Sequence, residues 1–313
     1  MGTARVCEAI NAASEGAMTD RQLLASCPLC DSKIAPKPLE TYRKDHVVKC
    51  RNCGFTYSLL IPSDADYARV YSNYDYVGED AVRTPTSIAK EAALAARLAD
   101  GKIGKVIDIA AGAGRFLEHF QMFGWDCYAT EFNEEMCQFL ERKGFTTYRG
   151  GLFPEGAPDG EFDIVIFTEI IEHINNPMPA LAGLNRLLRS GGILYITTPN
   201  FASLERRLLR ADWGMLMWPE HITYWTPRHV DRALCQAGFA KHSLKAQNIS
   251  PYRIVQALKK RGLAANVSEQ SFSDAAQARV SGSPLLQMAK RTVNAALIAT
   301  GLGSSIEAIY VKK

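Results

Sequence analysis

Four cysteines fall in two tight pairs, Cys27-Pro28-Leu29-Cys30 and Cys50-Arg51-Asn52-Cys53, with nineteen residues between the pairs. A C-x-x-C turn presents two thiolates from one bend of backbone, and two such turns can close a tetrahedron around one zinc ion. All four positions are cysteine, so no coordination position stays open for a substrate and the zinc expected here is structural. A redox pair would need a thioredoxin-like context, which this part of the chain lacks. The other four cysteines, Cys7, Cys127, Cys137 and Cys235, are scattered and read as small buried hydrophobes.

A second pattern joins an apolar run to a bend of small residues. Val106-Ile107-Asp108-Ile109 is followed by Ala110-Ala111-Gly112-Ala113-Gly114 and then by Arg115-Phe116. Small residues let the chain turn sharply and bring backbone amides close to a ligand at a helix N-terminus. A dinucleotide fingerprint would place its third glycine where Leu117 stands, which argues against a nicotinamide cofactor. Ala110 fits the bend if its φ is negative and strains it if not. Glu131 lies seventeen residues past Gly114. A carboxylate there can accept from both hydroxyls of a ribose and repels a 2′-phosphate. The competing reading is an acid that caps the helix opening at Asn133-Glu134-Glu135.

A third cluster is Thr168-Glu169-Ile170-Ile171-Glu172-His173, with a further histidine in Pro219-Glu220-His221. If the first segment begins a helix, Glu169, Glu172 and His173 share one face. Two carboxylates and an imidazole suit a divalent ion such as Mg²⁺ or Mn²⁺. The plainer alternative gives Glu172 a capping role and leaves His173 or His221 as a base without metal. The aromatic stretch Trp213, Met215, Met217, Trp218, Tyr224 and Trp225 suits a mixture of pocket wall and core.

These groups need elements to hold them. Strands are expected at Lys105–Ile109, Trp125–Thr130, Thr146–Tyr148, Phe162–Phe167 and Gly192–Thr198. Helices are expected between them, at Arg115–Phe123, Glu134–Lys143 and Pro179–Leu188. Strands alternating with helical stretches imply βαβ units and a parallel sheet. Farther on, Arg228–Ala237 reads as a helix, Ala240–Asn248 as a strand, Leu285–Thr300 as an amphipathic helix and Ile306–Val311 as a last strand.

The run from Asp108 to Gly114 resembles motif I of class I S-adenosylmethionine-dependent methyltransferases, with Ala110 in place of the motif's first glycine. The likeness continues through Gly151-Leu152, where that family contacts adenine, through Phe162–Phe167, and through Leu187–Leu194. It covers roughly residues 104–240. It implies an α/β fold, a doubly wound, mostly parallel seven-stranded sheet of Rossmann-like type, carrying a small N-terminal zinc ribbon. It also implies S-adenosylmethionine as cofactor, held by Asp108, Ala110, Gly112, Gly114, Glu131, Phe132, Gly151, Leu152 and Thr168.

The spacing Glu169, Glu172, His173 resembles ubiquinone-pathway O-methyltransferases. With His221 it is also similar to small-RNA 2′-O-methyltransferases, where such a set holds a metal. The cysteine pairs followed by Tyr71-Ser72-Asn73-Tyr74-Asp75-Tyr76 resemble the N-terminus of bacterial methyltransferases associated with surface-polysaccharide and secondary-metabolite sugars. The implied activity is methyl transfer to a hydroxyl of a small-molecule or glycan-linked acceptor. His173, His221 and Glu172 are the candidate catalytic residues, and Glu169, Glu172, His173 and His221 the candidate ligands of a divalent ion. Two rivals are an RNA methyltransferase that uses the ribbon as an RNA clamp, and a non-catalytic degenerate binding module.

The expected organisation is a leader over 1–24, the zinc ribbon over 25–60, a linker over 61–84 and the cofactor-binding core over 85–250. Residues 251–313 then supply a helical insertion and the last helix and strand of the sheet. With 47% apolar residues in 313, a full core can form. A net charge of +3 supplies no concentrated basic field, so nucleic acid is not an expected partner. No run of about eighteen apolar residues predicts a membrane span. The first twenty residues lack an apolar signal region, so a cytoplasmic protein is expected. Lys290 and Arg291 beside an apolar helix face leave peripheral membrane contact open.

Overall fold

Two β-branched or aromatic runs flank the second cysteine pair, and both become strands, β2 (Val47–Lys49) and β3 (Thr56–Ser58), after a short β1 (Lys37–Pro38). β1 pairs with β2 and β2 with β3, all antiparallel, with Val48 opposite Tyr57. A strand from far along the chain, Thr223–Tyr224, adds to the edge of β3 and completes a four-stranded sheet. The structure, a computed structural model, describes residues 22–63, 65–66, 85–153, 156–249 and 283–313. The leader up to residue 21, the tyrosine run at 71–76 and the insertion up to residue 282 lie outside the described residues.

The chain divides into two compact units. One takes in Met1–Asp66, Thr198–Val230 and Leu244–Glu307; the other takes in Tyr67–Thr197, Asp231–Ser243 and Ala308–Lys313. In the first, Tyr42, Val47, Phe201, Leu209, Trp213 and Tyr224 form a buried cluster. Its rings meet edge to face, Tyr42 on Phe201 at 5.6 Å and Phe201 on Trp213 at 5.9 Å between centroids. Trp225 is buried too, stacked edge-on against Phe55 at 4.8 Å. Trp213, Tyr224 and Trp225 are therefore core, which narrows the pocket-wall reading of the aromatic stretch.

The remaining strands are β4 (Lys105–Ile109), β5 (Asp126–Glu131), β6 (Thr146–Arg149), β7 (Phe162–Thr168) and β8 (Leu188–Pro199). Thr223–Tyr224 is β9, and β10 (Phe239–Gln247) and β11 (Ser305–Lys312) end the series. A seven-stranded sheet runs β10-β11-β8-β7-β4-β5-β6. The pairings β4–β5, β4–β7, β5–β6 and β7–β8 are all parallel. This is the expected mostly parallel α/β sheet of the class I methyltransferase type. β4 and β7 are apolar almost throughout because helices cover both faces of a parallel sheet.

Helices Pro85–Ala99, Arg115–Met122 and Glu134–Arg142 pack Ala95, Leu98, Leu117, Phe120 and Leu140 against Val106, Ile164 and Ile166. Burying each large apolar side chain contributes about 1.5–3 kcal/mol. The helix expected from Pro179 starts at Pro177, whose fixed φ and missing N–H suit the first helical position. Strand order reverses at β4, whose neighbours are β5 on one side and β7 on the other. A crevice opens at such a switch point, outside the C-terminal strand ends. Among the described residues, no helix is long and apolar enough to cross a membrane.

Candidate functional site

The bend after β4 sits at that switch point. Ala110 has φ of +54°, so the alanine takes the strained alternative, at a cost of about 1–2 kcal/mol. Neighbouring groups hold it there. The Ala110 amide donates to Thr130 Oγ1 at 3.0 Å, and the Ala111 amide to the Thr130 carbonyl at 3.0 Å. Lys143 Nζ donates to the Ala113 carbonyl at 2.8 Å and pairs with Glu118 at 2.7 Å. Strain of this kind persists only where the surroundings over-determine the backbone.

The two glycines of the bend serve different ends. Gly114 has φ of +70°, and a Cβ added to it would lie 2.6 Å from Leu140 Cδ2 and 2.9 Å from Phe145 Cε2. Gly112 has φ of +52°, but among the described residues no atom would lie within 4 Å of a Cβ added there. Gly114 is thus required by packing, and Gly112 borders a cradle open to a ligand. Gly114→Ala should cost about 3 kcal/mol of stability through overpacking and backbone strain. Gly112→Ala should cost only about 1 kcal/mol of stability. It should nonetheless weaken S-adenosylhomocysteine binding by about tenfold or more. Thermal melts and calorimetric titrations of the two variants check this division.

Glu131 ends β5 and is buried. Its Oε2 accepts from the Gly112 amide at 3.0 Å, and its Oε1 from the amides of Phe132 at 2.9 Å and Asn133 at 3.0 Å. The carboxylate thus ties the end of β5 to the bend. It does not cap the following helix, whose first turn is capped by Asn133 Oδ1 accepting from the Met136 amide at 3.0 Å. A carboxylate offers about four acceptor sites, so capacity remains for a ligand hydroxyl.

Asp108 is fully enclosed beneath the bend. Burial, with the Glu131 charge adding to it, pushes its carboxyl up to about 8. An unfolded carboxyl titrates near 4, so between about pH 4 and pH 8 the unfolded chain has lost a proton that the folded chain keeps. Stability therefore falls as pH rises through that window, by up to about 1.4 kcal/mol per unit. Asp108→Asn, neutral at every pH, should flatten this slope and be more stable than the parent at pH 8. Urea unfolding across the window reads both effects.

The other expected cofactor residues follow the same sheet edge. Phe132, just past β5, is 56% exposed. Gly151 and Leu152 follow β6, and among the described residues nothing would lie within 4 Å of a Cβ on Gly151. Thr168 is the last residue of β7, opposite Thr197 of β8.

The acid and histidine cluster departs from expectation. Glu169 has φ of +53° and its amide donates to the Thr197 carbonyl at 3.1 Å, so no helix begins there. Only Ile171–His173 form a short 3₁₀ turn. Glu172 is buried and Glu169 exposed, so the expected common face of Glu169, Glu172 and His173 does not form. His221 belongs to the other unit, where its Nδ1 donates to the Met215 carbonyl at 3.0 Å.

In the first unit the four cysteine sulfurs converge. Cys27 Sγ lies 3.7 Å from Cys53 Sγ, and Cys30 Sγ 3.8 Å from Cys50 Sγ. Zinc–sulfur bonds of about 2.3 Å give a tetrahedron edge of about 3.8 Å, whereas a disulfide needs about 2.05 Å. The donor set and its spacing fit zinc. Amides of Cys53 and Phe55 point at Cys50 Sγ and Cys53 Sγ, both at 3.5 Å, a polarity suited to thiolates. Burial pushes the Cys27 thiol up and holds Cys53 near about 11, a cost that a bound cation offsets.

Three positioning residues escape a reading of local pattern. Thr130 and Lys143 hold the bend, as described. His229 donates from Nε2 to the Cys53 carbonyl at 3.3 Å and accepts at Nδ1 from the Thr226 hydroxyl at 2.9 Å. Its ring meets Phe55 edge to face at 5.3 Å. No spacing links His229 to the cysteines in the sequence, so only the fold reveals it.

A family model described as a methyltransferase domain matches residues 84–244. A ubiquinone biosynthesis O-methyltransferase of Cereibacter sphaeroides is 26% identical over 174 residues, covering 52% of this chain and 70% of that protein. A protein of the same name from Methylococcus capsulatus is 27% identical over 131 residues, covering 40% and 53%. The match thus spans little more than half the length of the second relative. Among solved structures, a chain of the Haloferax volcanii complex of the Trm112 methyltransferase activator with a methyltransferase superposes with a TM-score of 0.51. It covers 80% of this chain and 97% of its own, at 17% identity, and so bears on the fold alone.

Proposed function

Since the chain belongs to the methyltransferase-domain family, we propose that it moves the methyl group of S-adenosylmethionine to a hydroxyl oxygen of a small-molecule or glycan-linked acceptor. Dependence on S-adenosylmethionine follows from that membership. The oxygen acceptor is supported by the two relatives named as O-methyltransferases. The observation that carries the reading is the bend itself, with its cradle at Gly112 and the buried Glu131 carboxylate bonded across it.

Bound at the bend, S-adenosylmethionine supplies a methyl group already activated by the sulfonium charge. The chain's part is to hold, orient and dehydrate the reactants and to take a proton. Glu131 binds the ribose, and Gly112 lets the backbone approach the nucleoside. His173, in the turn after β7 on the same sheet edge, takes the acceptor's hydroxyl proton. Zinc at Cys27, Cys30, Cys50 and Cys53 is structural, and thiols kept for metal suit a reducing cytosol as the place of action.

The test is transfer of labelled methyl to a panel of phenolic and saccharide hydroxyl compounds. A base-stable methyl ether is the expected product, and His173→Ala should slow its formation by about a hundredfold. S-adenosylhomocysteine affinity should stay at the parent value in that variant. Label found only on nitrogen or sulfur would contradict the oxygen acceptor, and parental turnover in His173→Ala would remove the histidine from the reaction.

A further inference from the structure

Away from the bend, the first unit contains a cavity of about 640 Å³. Its walls carry five cations, Lys37, Lys49, Arg206, Arg207 and Arg210, against one carboxylate, Glu40. The volume is that of a small-molecule site, for which about 300–1,000 Å³ is usual. Among the described residues, none of the five cations forms an ion pair, so the positive charge is not neutralised from within. This concentration contrasts with a net charge of only +3 over the whole chain.

Arg206 is built into the wall. Its Nη1 donates to the Tyr42 hydroxyl at 2.8 Å, and its guanidinium lies 4.5 Å from the centre of the Phe201 ring. The Nε is buried with no hydrogen-bond partner among the described residues. A buried donor left unsatisfied opposes folding and is expected to find a ligand acceptor. Arg210 adds a second sign. Its backbone sits at φ 54°, ψ −118°, a region that side chains other than glycine's enter only under strain. Strain of this sort gathers where a side chain must be aimed.

We propose that this cavity binds a diphosphate-bearing ligand. Arg206 supplies a fixed planar fork suited to paired phosphate oxygens, and the two lysines and two further arginines supply the surrounding charge. A single carboxylate would leave most of that charge unbalanced, whereas a diphosphate brings several negative charges within one short span. Tyr42 and Phe201 offer an aromatic wall for the organic part of the ligand. This inference does not depend on which atom the enzyme methylates.

The test titrates inorganic pyrophosphate into the zinc-loaded full-length protein by calorimetry. Saturable binding is expected, tighter than for orthophosphate or citrate, and weaker as salt is raised. Lys49→Ala and Arg210→Ala, both at exposed positions, should each weaken it by about tenfold while leaving the melting temperature in place. Arg206→Lys keeps the charge but loses the fork, and should also weaken binding by about tenfold. Glu40→Gln should strengthen it. No saturable binding, parental affinity in these variants, or citrate binding as tightly as pyrophosphate would overturn the proposal. A single-stranded oligonucleotide that displaces pyrophosphate and binds more tightly would likewise overturn it, assigning the cavity to a nucleic-acid backbone.

Discussion

Glu131→Gln will lower affinity for S-adenosylhomocysteine by about tenfold or more, and Glu131→Ala by more still. The asymmetry of the carboxylate's bonds gives the reason. One oxygen takes the amides of Phe132 and Asn133, and the other takes the Gly112 amide. A glutamine keeps its carbonyl oxygen for the pair of amides and turns its NH₂ toward Gly112. Two donors then face each other across the bend, which opens it, and the ribose loses a charged acceptor at the same time. In Glu131→Ala three part-buried amides lose their acceptor together, a stability cost on the order of 3 kcal/mol. Calorimetry and thermal melts separate the two effects, since Gln should lose affinity with little stability and Ala should lose both. Parental affinity in Glu131→Gln would mean that the carboxylate props the bend and does not touch the ligand.

Removal of zinc, by chelation or by Cys50→Ser, will unfold more than the cysteine turns. A Cys₄ zinc contributes on the order of 10 kcal/mol to the fold that holds it. Whole domains are stable by only about 5–15 kcal/mol. The cysteine turns are also not a free-standing module. β3, which follows the second pair, takes its outer hydrogen-bonding partner from β9, and Tyr42 and Val47 share a core with Phe201, Trp213 and Tyr224. His229 reaches back to the Cys53 carbonyl. Loss of metal should therefore abolish the near-ultraviolet signal of the buried Trp213 and Trp225 and sharply lower the melting temperature. Zinc content measured alongside circular dichroism checks it, and a stripped protein with an unchanged tryptophan signal would contradict the structural role.

How far the sequence disclosed this arrangement depends on the range of each signal. The parallel sheet, the small-residue bend and the cysteine pairs are local patterns, written in runs such as Val106–Ile109 or in the spacing of Cys27 and Cys30, and the structure has the sheet and the convergence of sulfurs that they imply. The spacing of Glu169, Glu172 and His173 implies one helical face, whereas Glu169 takes a left-handed backbone, and side-chain identity does not announce that turn outside glycine. β9 is two residues long and pairs with a strand about 167 positions earlier, so periodicity holds no trace of it. Its neighbours Trp213 and Trp225 looked equally suited to a pocket and to a core, and the partners that decide between them lie far away in sequence. The same holds for Arg206, whose Tyr42 contact spans 164 positions. A net charge near zero for the length concealed the five cations around one cavity, because composition averages over surfaces that folding separates.

A crystal of the zinc-loaded protein grown with S-adenosylhomocysteine would probe the central claim most directly. The predicted result is a nucleoside lying across Gly112, with a ribose hydroxyl hydrogen-bonded to the Glu131 carboxylate. A ligand bound elsewhere while the Gly112 cradle stays empty would contradict it.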